Sequence, residues 1–345
     1  MHAVIFKQHG DIDQLIYTEV PKPTIGPKEV LIRVHACGLN RLDIWTRQGM
    51  RGVTIPLPHI LGCDIAGEVV EIGTQVKEIK LGTRAIVAPG ISCGQCNWCK
   101  TGWDSLCDQY QILGFQLDGG YAEFVKVPFQ NVIPITDRYS WEEWASTPLV
   151  FLTAWHMLVT RAQLQKGETV LIQAAGSGVG SAAIQIAKVL GARVLTTIGN
   201  DEKEQFAKQL GADHVINYKR TDFVKETQAL TKGKGVEVVL EHIGGQTFEK
   251  SLATLGKRGR LVTCGVTSGP TAELDLRFLF VRQHAIMGCY MGGRKELNEA
   301  IDLLKQGRLK PVVDTTFPLA QAQEAHKRML ERKNFGKIVL QVAQN

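Results

Sequence analysis

The apolar run Thr169-Val-Leu-Ile-Gln173 leads straight into Ala174-Ala-Gly176-Ser177-Gly178-Val179-Gly180. Beyond it, Val179, Ala183, Ile186, Ala187 and Leu190 fall on one face of a helix, and Gly191 suits its C-cap. Strand, glycine turn and helix in this order form the context in which a dinucleotide binds. Absent side chains let the backbone approach a pyrophosphate, and the helix start offers free N–H groups and the positive end of its dipole. The glycines depart from G-x-G-x-x-G, with Ala and Ser in two of the expected places, and a tight turn without a ligand is the alternative. From about Trp141 onward, helical stretches alternate with apolar strands at Arg193 to Thr197, His214 to Ile216, Val236 to Leu240, Arg260 to Cys264 and Ala285 to Cys289. That alternation predicts crossover units and a parallel sheet, an α/β fold.

The second strand of such a unit normally ends in an acid that binds the ribose 2′-hydroxyl of NAD. Here it ends Ile198-Gly199-Asn200, and Asp201 with Glu204 has the spacing of a helix capping box. Gly199 leaves room for a phosphate that Lys203 and Tyr218 would partner, so NADP(H) is favoured over NAD(H). Gly265 and Val266, after a later strand end, are placed near the nicotinamide by the rule that ligands approach open sheets there. His242 follows a buried strand too, where a lone histidine is more often packed or capping than a proton donor.

The first part of the chain reads differently. Glu29 to His35, Gly67 to Ile72, Arg84 to Pro89 and Tyr121 to Val127 are short β-branched or aromatic runs separated by Gly and Pro. After Tyr290 come a helix at Lys295 to Lys305, an extended stretch at Pro311 to Phe317, a helix at Leu319 to Glu331 and a strand at Lys337 to Val342. This tail is too short to bury a core alone, so it is expected to pack on the first domain. The predicted division is 1–150, 151–290 and a returning 291–345.

Four of the eight cysteines crowd one stretch, Cys93-Gly-Gln-Cys96-Asn-Trp-Cys99 and then Cys107, within a lobe at 90–110. Four thiolates close a tetrahedral zinc shell, which is structural because no position is left for water or substrate. Disulfides are disfavoured by the expected compartment, and ferredoxin-type runs usually place proline after the fourth cysteine, where Asp108 stands here. The first residues lack a cationic start followed by an apolar run, which points to a cytoplasmic protein. The longest apolar stretch, near Leu149 to Val159, falls short of the ~20 residues that span a bilayer. The 40 basic and 34 acidic residues show no clustering, so neither a membrane nor a nucleic-acid partner is expected.

Together these features resemble the medium-chain dehydrogenase/reductase superfamily over essentially the whole chain. Further carrying residues are Gly62-Cys-Asp64-Ile-Ala-Gly67-Glu-Val-Val-Glu-Ile-Gly73, Gly119-Gly-Tyr-Ala-Glu-Phe124, Leu152-Thr-Ala-Trp155 and Gly259-Arg-Leu-Val-Thr-Cys-Gly265. The resemblance implies a GroES-like β-rich catalytic domain, an inserted Rossmann doubly wound parallel sheet, an active site in the cleft between them, and a homodimer or homotetramer. In the zinc alcohol dehydrogenases of that superfamily, Cys, His and Cys hold the catalytic metal at the positions occupied here by Asn40, Cys63 and Leu149. None of the three matches, and Cys63 alone cannot make an open three-ligand site. A rearranged site using Cys37, Cys63, His59 or Asp64 is the competing expectation.

The segment Asn40-Arg-Leu-Asp43 looks like its counterpart in quinone oxidoreductases. The implied site residues are Asn40 as hydrogen-bond donor to a developing enolate or hydroquinone oxygen, Asp43 beside it, and Thr153 against the nicotinamide. Arg332 and Lys337 flank Gly336 in a stretch similar to a family segment that reaches the cofactor phosphate. The expected activity is NADPH reduction of quinones or activated carbonyl compounds, small-molecule substrates both. An unusual zinc alcohol or aldehyde dehydrogenase and a non-catalytic NADPH-binding protein are the alternatives.

Overall fold

Strands that read as unbroken apolar runs need cover on both faces, which a parallel sheet between helices provides. In the computed structural model, which describes residues 1–342, Thr169–Ile172, Arg193–Ile198, His214–Asn217, Val236–Glu241, Leu255–Thr263 and Ala285–Gly288 form one six-stranded sheet. Every neighbouring pair in it is parallel. Thr169–Ile172 and Val236–Glu241 lie side by side at its centre, and the chain runs outward from each in opposite directions. Such a reversal creates the crevice at the strands' carboxyl ends where open α/β sheets take ligands. Val170, Leu171, Ile172, Val238, Val239 and Leu240 are wholly inaccessible to solvent. Leu171, Leu195, Ile216, Phe223, Val236, Val239, Leu255 and Leu261 share one core cluster, and each such side chain contributes roughly 1.5–3 kcal/mol on burial.

The chain divides into two compact units: Val150–Gly292 with Gly307–Lys310, which holds this sheet, and Met1–Leu149 with Gly293–Gln306 and the residues from Pro311 on. The core of the first-residue unit is a largely antiparallel sheet around Glu29–Gly38. That strand pairs with Asp64–Ile72, Phe124–Pro128 and, at its far end, Lys337–Gln341. Lys337–Gln341 in turn runs parallel to Val313–Pro318. A strand near the chain's start thus lies against one near its end. The β-rich GroES-like unit and the Rossmann-type sheet are the α/β architecture expected.

Some elements differ from the sequence pattern. Leu255–Thr263 begins five residues earlier than the predicted Arg260, because a register shift between Val236 and Val238 lets the extra turn-side residues continue the ladder. His2–Phe6 and Ile16–Glu19, unmarked by any long β-branched run, are strands of a small sheet completed by His59–Ile60. Among the described residues, no helix is long and apolar enough to cross a membrane.

Candidate functional site

The helix Arg41–Gln48 starts at Asn40, and its first turn is held by Asp43. Asp43 Oδ2 accepts the Asn40 N–H at 2.7 Å and the Tyr121 hydroxyl at 3.2 Å, and Oδ1 accepts the Gly62 N–H at 3.2 Å. This carboxyl is fully buried, and burial pushes its pKa up to about 7 against the pull of those donors. Asp43 is therefore a cap and anchor for Asn40 and the Gly62 backbone.

The Asn40 side chain is enclosed as well. Its Nδ2 donates to Asp64 Oδ2 at 2.8 Å and to Cys63 Sγ at 3.3 Å. Its Oδ1 accepts from Lys337 Nζ at 2.6 Å, and Lys337 also donates to Asp64 Oδ2 at 2.7 Å. Asp64 Oδ1 accepts the Leu149 N–H at 2.7 Å. Positions 40, 63 and 149 thus meet around one buried carboxylate, and the cation among them is an ammonium. The Asp64 and Lys337 side chains are 0% and 4% exposed. A buried charge is tolerable only when paired and hydrogen-bonded, as both are. Gly38 makes the room, since a Cβ there would strike the Ala145 carbonyl and press to 3.2 Å on Lys337 Cε and Asp64 Cβ.

Two expectations change here. Both Asn40 amide protons are committed within the protein, so Asn40 is not the free donor that the resemblance suggests. Lys337 lies buried in the first-residue unit, bound to Asn40 and Asp64. Of its three ammonium protons, two go to Asn40 and Asp64, and the third has no partner among the described residues. Cys37 and Cys63 are buried, and burial pushes both thiols well up. Among the described residues, only Cys93, Cys96, Cys99 and Cys107 bring three or more ligand atoms together. Among the described residues, no three of Cys37, Cys63, His59 and Asp64 bring ligand atoms together in this way.

In the cysteine lobe, the four sulfurs lie within 4.8 Å of one another. Cys93 Sγ is 3.9 Å and Cys96 Sγ 3.5 Å from Cys99 Sγ. Zn–S bonds of about 2.3 Å give a tetrahedral S···S edge of about 3.8 Å, so the donor set fits zinc. Backbone N–H groups point at the sulfurs, from Cys96 to Cys93 at 3.3 Å and from Gln109 to Cys107 at 3.4 Å. The N–H groups of Gln95 and Cys96 bring the Cys93 thiol down to about 6.

In the second unit, Ser177 caps the helix Gly178–Val189, its Oγ accepting the Gly180 N–H at 2.8 Å. The N–H groups of Gly178 and Val179 have no partner among the described residues, and Gly176 to Val179 are partly exposed. A Cβ on Gly180 would strike the Ala174 carbonyl, which fixes glycine there. Free amides beside a partly exposed hydroxyl at a helix start fit a diphosphate. The Tyr218 hydroxyl lies against the bare Gly199 Cα, where any Cβ would collide with it. Asp201 does not cap: Asn200 does, accepting the Glu202 N–H at 3.2 Å. The Asp201 carboxylate instead pairs with Arg220 and accepts from Asn217 Nδ2 at 2.7 Å, because the turn after Asn217 delivers both partners to it. Lys203 ends the short 3-10 turn Asp201–Lys203. Gly265 packs beside the His242 backbone, with Val266 exposed after it, and Thr153 is buried on the helix Pro148–Trp155. Sequence reasoning missed the bond between His242 Nε2 and Ser177 Oγ at 3.0 Å.

Residues 26–137 match the model of the alcohol dehydrogenase GroES-like domain, and residues 178–306 that of the zinc-binding dehydrogenase family. Quinone oxidoreductase-like protein 2 of Bos taurus is 32% identical over 94% of this chain and 88% of its own length. Crotonyl-CoA carboxylase/reductase of Cereibacter sphaeroides is 30% identical over 96% of this chain and 84% of its own. A solved NAD-dependent alcohol dehydrogenase superposes with a TM-score of 0.96 at 42% identity, covering 99% of this chain and 100% of that one. The chain belongs to the medium-chain dehydrogenase/reductase superfamily, whose members of the zinc alcohol dehydrogenase and quinone oxidoreductase types are NAD(P)-dependent oxidoreductases.

Proposed function

We propose that this protein uses NADPH to reduce quinones or α,β-unsaturated carbonyl compounds, with one structural zinc at Cys93, Cys96, Cys99 and Cys107 and no catalytic zinc. The observation that carries the reading is the buried Lys337 ammonium, bound to Asn40 and Asp64, at the place where Asn40, Cys63 and Leu149 replace three metal ligands. A bound reduced nicotinamide supplies the hydride. Lys337 supplies a fixed positive charge with an uncommitted proton, the kind of preorganised donor that stabilises a developing enolate or hydroquinone oxygen. Asn40 and Asp64 hold that ammonium in place, and Asp43 holds Asn40. With this weaker electrophile in place of a metal, the acceptor must already be electron-poor.

NADPH is preferred over NADH because Gly199 offers no ribose-binding acid and the carboxylate of Asp201 is neutralised by Arg220. Lys203 and Tyr218 are the proposed partners of the 2′-phosphate, and Thr153, Gly265 and Val266 the proposed nicotinamide contacts. Changing Gly199→Asp should displace Tyr218 and lower the NADPH-to-NADH ratio of kcat/KM about tenfold, the scale of one charged contact. A reducing, cytoplasmic setting, in which thiols are kept available for the metal, is part of the same reading.

A substrate panel of quinones, enones, aldehydes and alcohols with both cofactors, beside zinc quantification on the same preparation, tests the reading. One zinc per chain with turnover of quinones or enones is expected. Two zincs per chain, with alcohol oxidation lost on removing the labile one, would overturn it. That second reading is favoured by the 42% identity to an NAD-dependent alcohol dehydrogenase. Tight NADPH binding without turnover of any substrate would leave a binding protein.

A further inference from the structure

His242 places a buried polar ring beside Ser177 in the second unit. His242 follows the strand Val236–Glu241 and is 8% exposed, and its Nδ1 is buried without a partner. Burial brings its pKa down to about 4, so the imidazole is neutral and carries a single proton. Ser177 Oγ, 3.0 Å from His242 Nε2, already accepts the Gly180 N–H, which occupies one of its two lone pairs.

Two arrangements are then open. With the histidine proton on Nε2, the ring donates into the second lone pair, and the serine O–H is left for a ligand. With the proton on Nδ1, the serine must donate to the bare Nε2, its O–H is used up, and an N–H is buried with no acceptor. Orphaned N–H groups are rarer in protein interiors than under-used acceptors, which favours the first arrangement.

We propose that His242 is a positioning residue for the dinucleotide: as the Nε2–H tautomer it saturates the acceptor side of Ser177 Oγ and turns the serine proton outward, toward a phosphate oxygen of the cofactor. The inference rests on the dinucleotide reading of the Ala174–Gly180 turn. It goes beyond that reading by making the serine's donor role depend on a residue 65 positions away.

Dissociation constants for NADPH and NADH, read from nucleotide fluorescence, test it on the full chain. Ser177→Ala should weaken binding about tenfold or more, the scale of one hydrogen bond to a charged group. His242→Phe should weaken it to a similar extent, and in the Ser177→Ala background should add no more than about twofold, since the two residues act as one unit. His242→Gln, whose amide can donate to Ser177, should restore most of the affinity; a packing role would be met better by Phe. Long-range nitrogen–proton NMR of the imidazole should find the proton on Nε2. Unchanged affinity in His242→Phe, additive losses in the double variant, or a proton on Nδ1 would each overturn the proposal while leaving nucleotide binding intact. Wild-type protein that binds neither nucleotide would instead remove the dinucleotide reading itself.

Discussion

Lys337 and Asp64 form a pair in which each side chain is tolerable only because of the other. Lys337→Met keeps the stem's volume but strands the carboxylate, a loss of about 3–5 kcal/mol, measurable by urea unfolding. The double variant Lys337→Met/Asp64→Asn should regain most of that stability, because the buried charge is gone, yet its kcat with an enone should stay about a hundredfold low. Recovery of both together would mean that Lys337 is structural only. Asp43 gives a pH signature. Its pKa rises from 3.8 to about 7 on folding, so between those values the folded protein holds a proton that the unfolded chain does not. Its contribution is complete below about pH 4 and declines as pH rises through about 7. Relative to Asp43→Asn, the wild type should lose on the order of 4 kcal/mol across that window, visible as a converging difference in Tm. The bond from Lys337 to Asn40 spans 297 positions, and no local pattern announces it. Asn40, Cys63 and Leu149 could be placed from flanking motifs, but the group that unites them arrives from a distant strand, in a segment whose resemblance pointed to the cofactor phosphate and not to Asn40. His242 was illegible for the same reason.

Elements whose cause is local were legible. The glycine turn, its helix and the central strands follow from runs of Val, Leu and Ile broken by glycine, and the cysteine lobe follows from spacing. Edges were less so: the capping role fell to Asn200 and not to Asp201, since either side chain suits a cap and the ion pair with Arg220 decided between them. The lobe lends itself to a direct test. The segment around Asn97–Lys100 and Asp104–Leu106 buries little besides Ser105 and Cys107, so its order should depend on metal. Cys99→Ser should lower zinc from about one per chain toward zero and make the lobe sensitive to proteolysis, as loss of a structural shell does elsewhere. Full zinc content and an unchanged digestion pattern would refute the assignment.

At the scale of the whole molecule, the second unit presents a sheet edge beside exposed apolar side chains among the described residues. Ala285–Gly288 is the last strand of its sheet, with a single neighbour, and the adjoining helix Leu276–Val281 exposes Phe280 at 68% and Val281 at 71%. An unpaired strand edge beside exposed apolar side chains is a template for another chain, and we propose that the homodimer or homotetramer implied by the family resemblance covers it with a second copy. Phe280→Glu should shift the sedimentation profile toward monomer without altering the NADPH dissociation constant; an unchanged profile would place any dimer contact elsewhere. The pairing of Lys337–Gln341 with Glu29–Gly38 also sets a timetable. During translation at ~5–20 residues per second, about 300 residues separate the two strands, a delay of roughly 15–60 s. Throughout that interval Asp64 has no cation, whereas the second unit, Val150–Gly292 with Gly307–Lys310, is fully synthesised by Lys310. The nucleotide-binding half can therefore mature first, and a chain released before Gly336 would carry a finished half and an unfinished one.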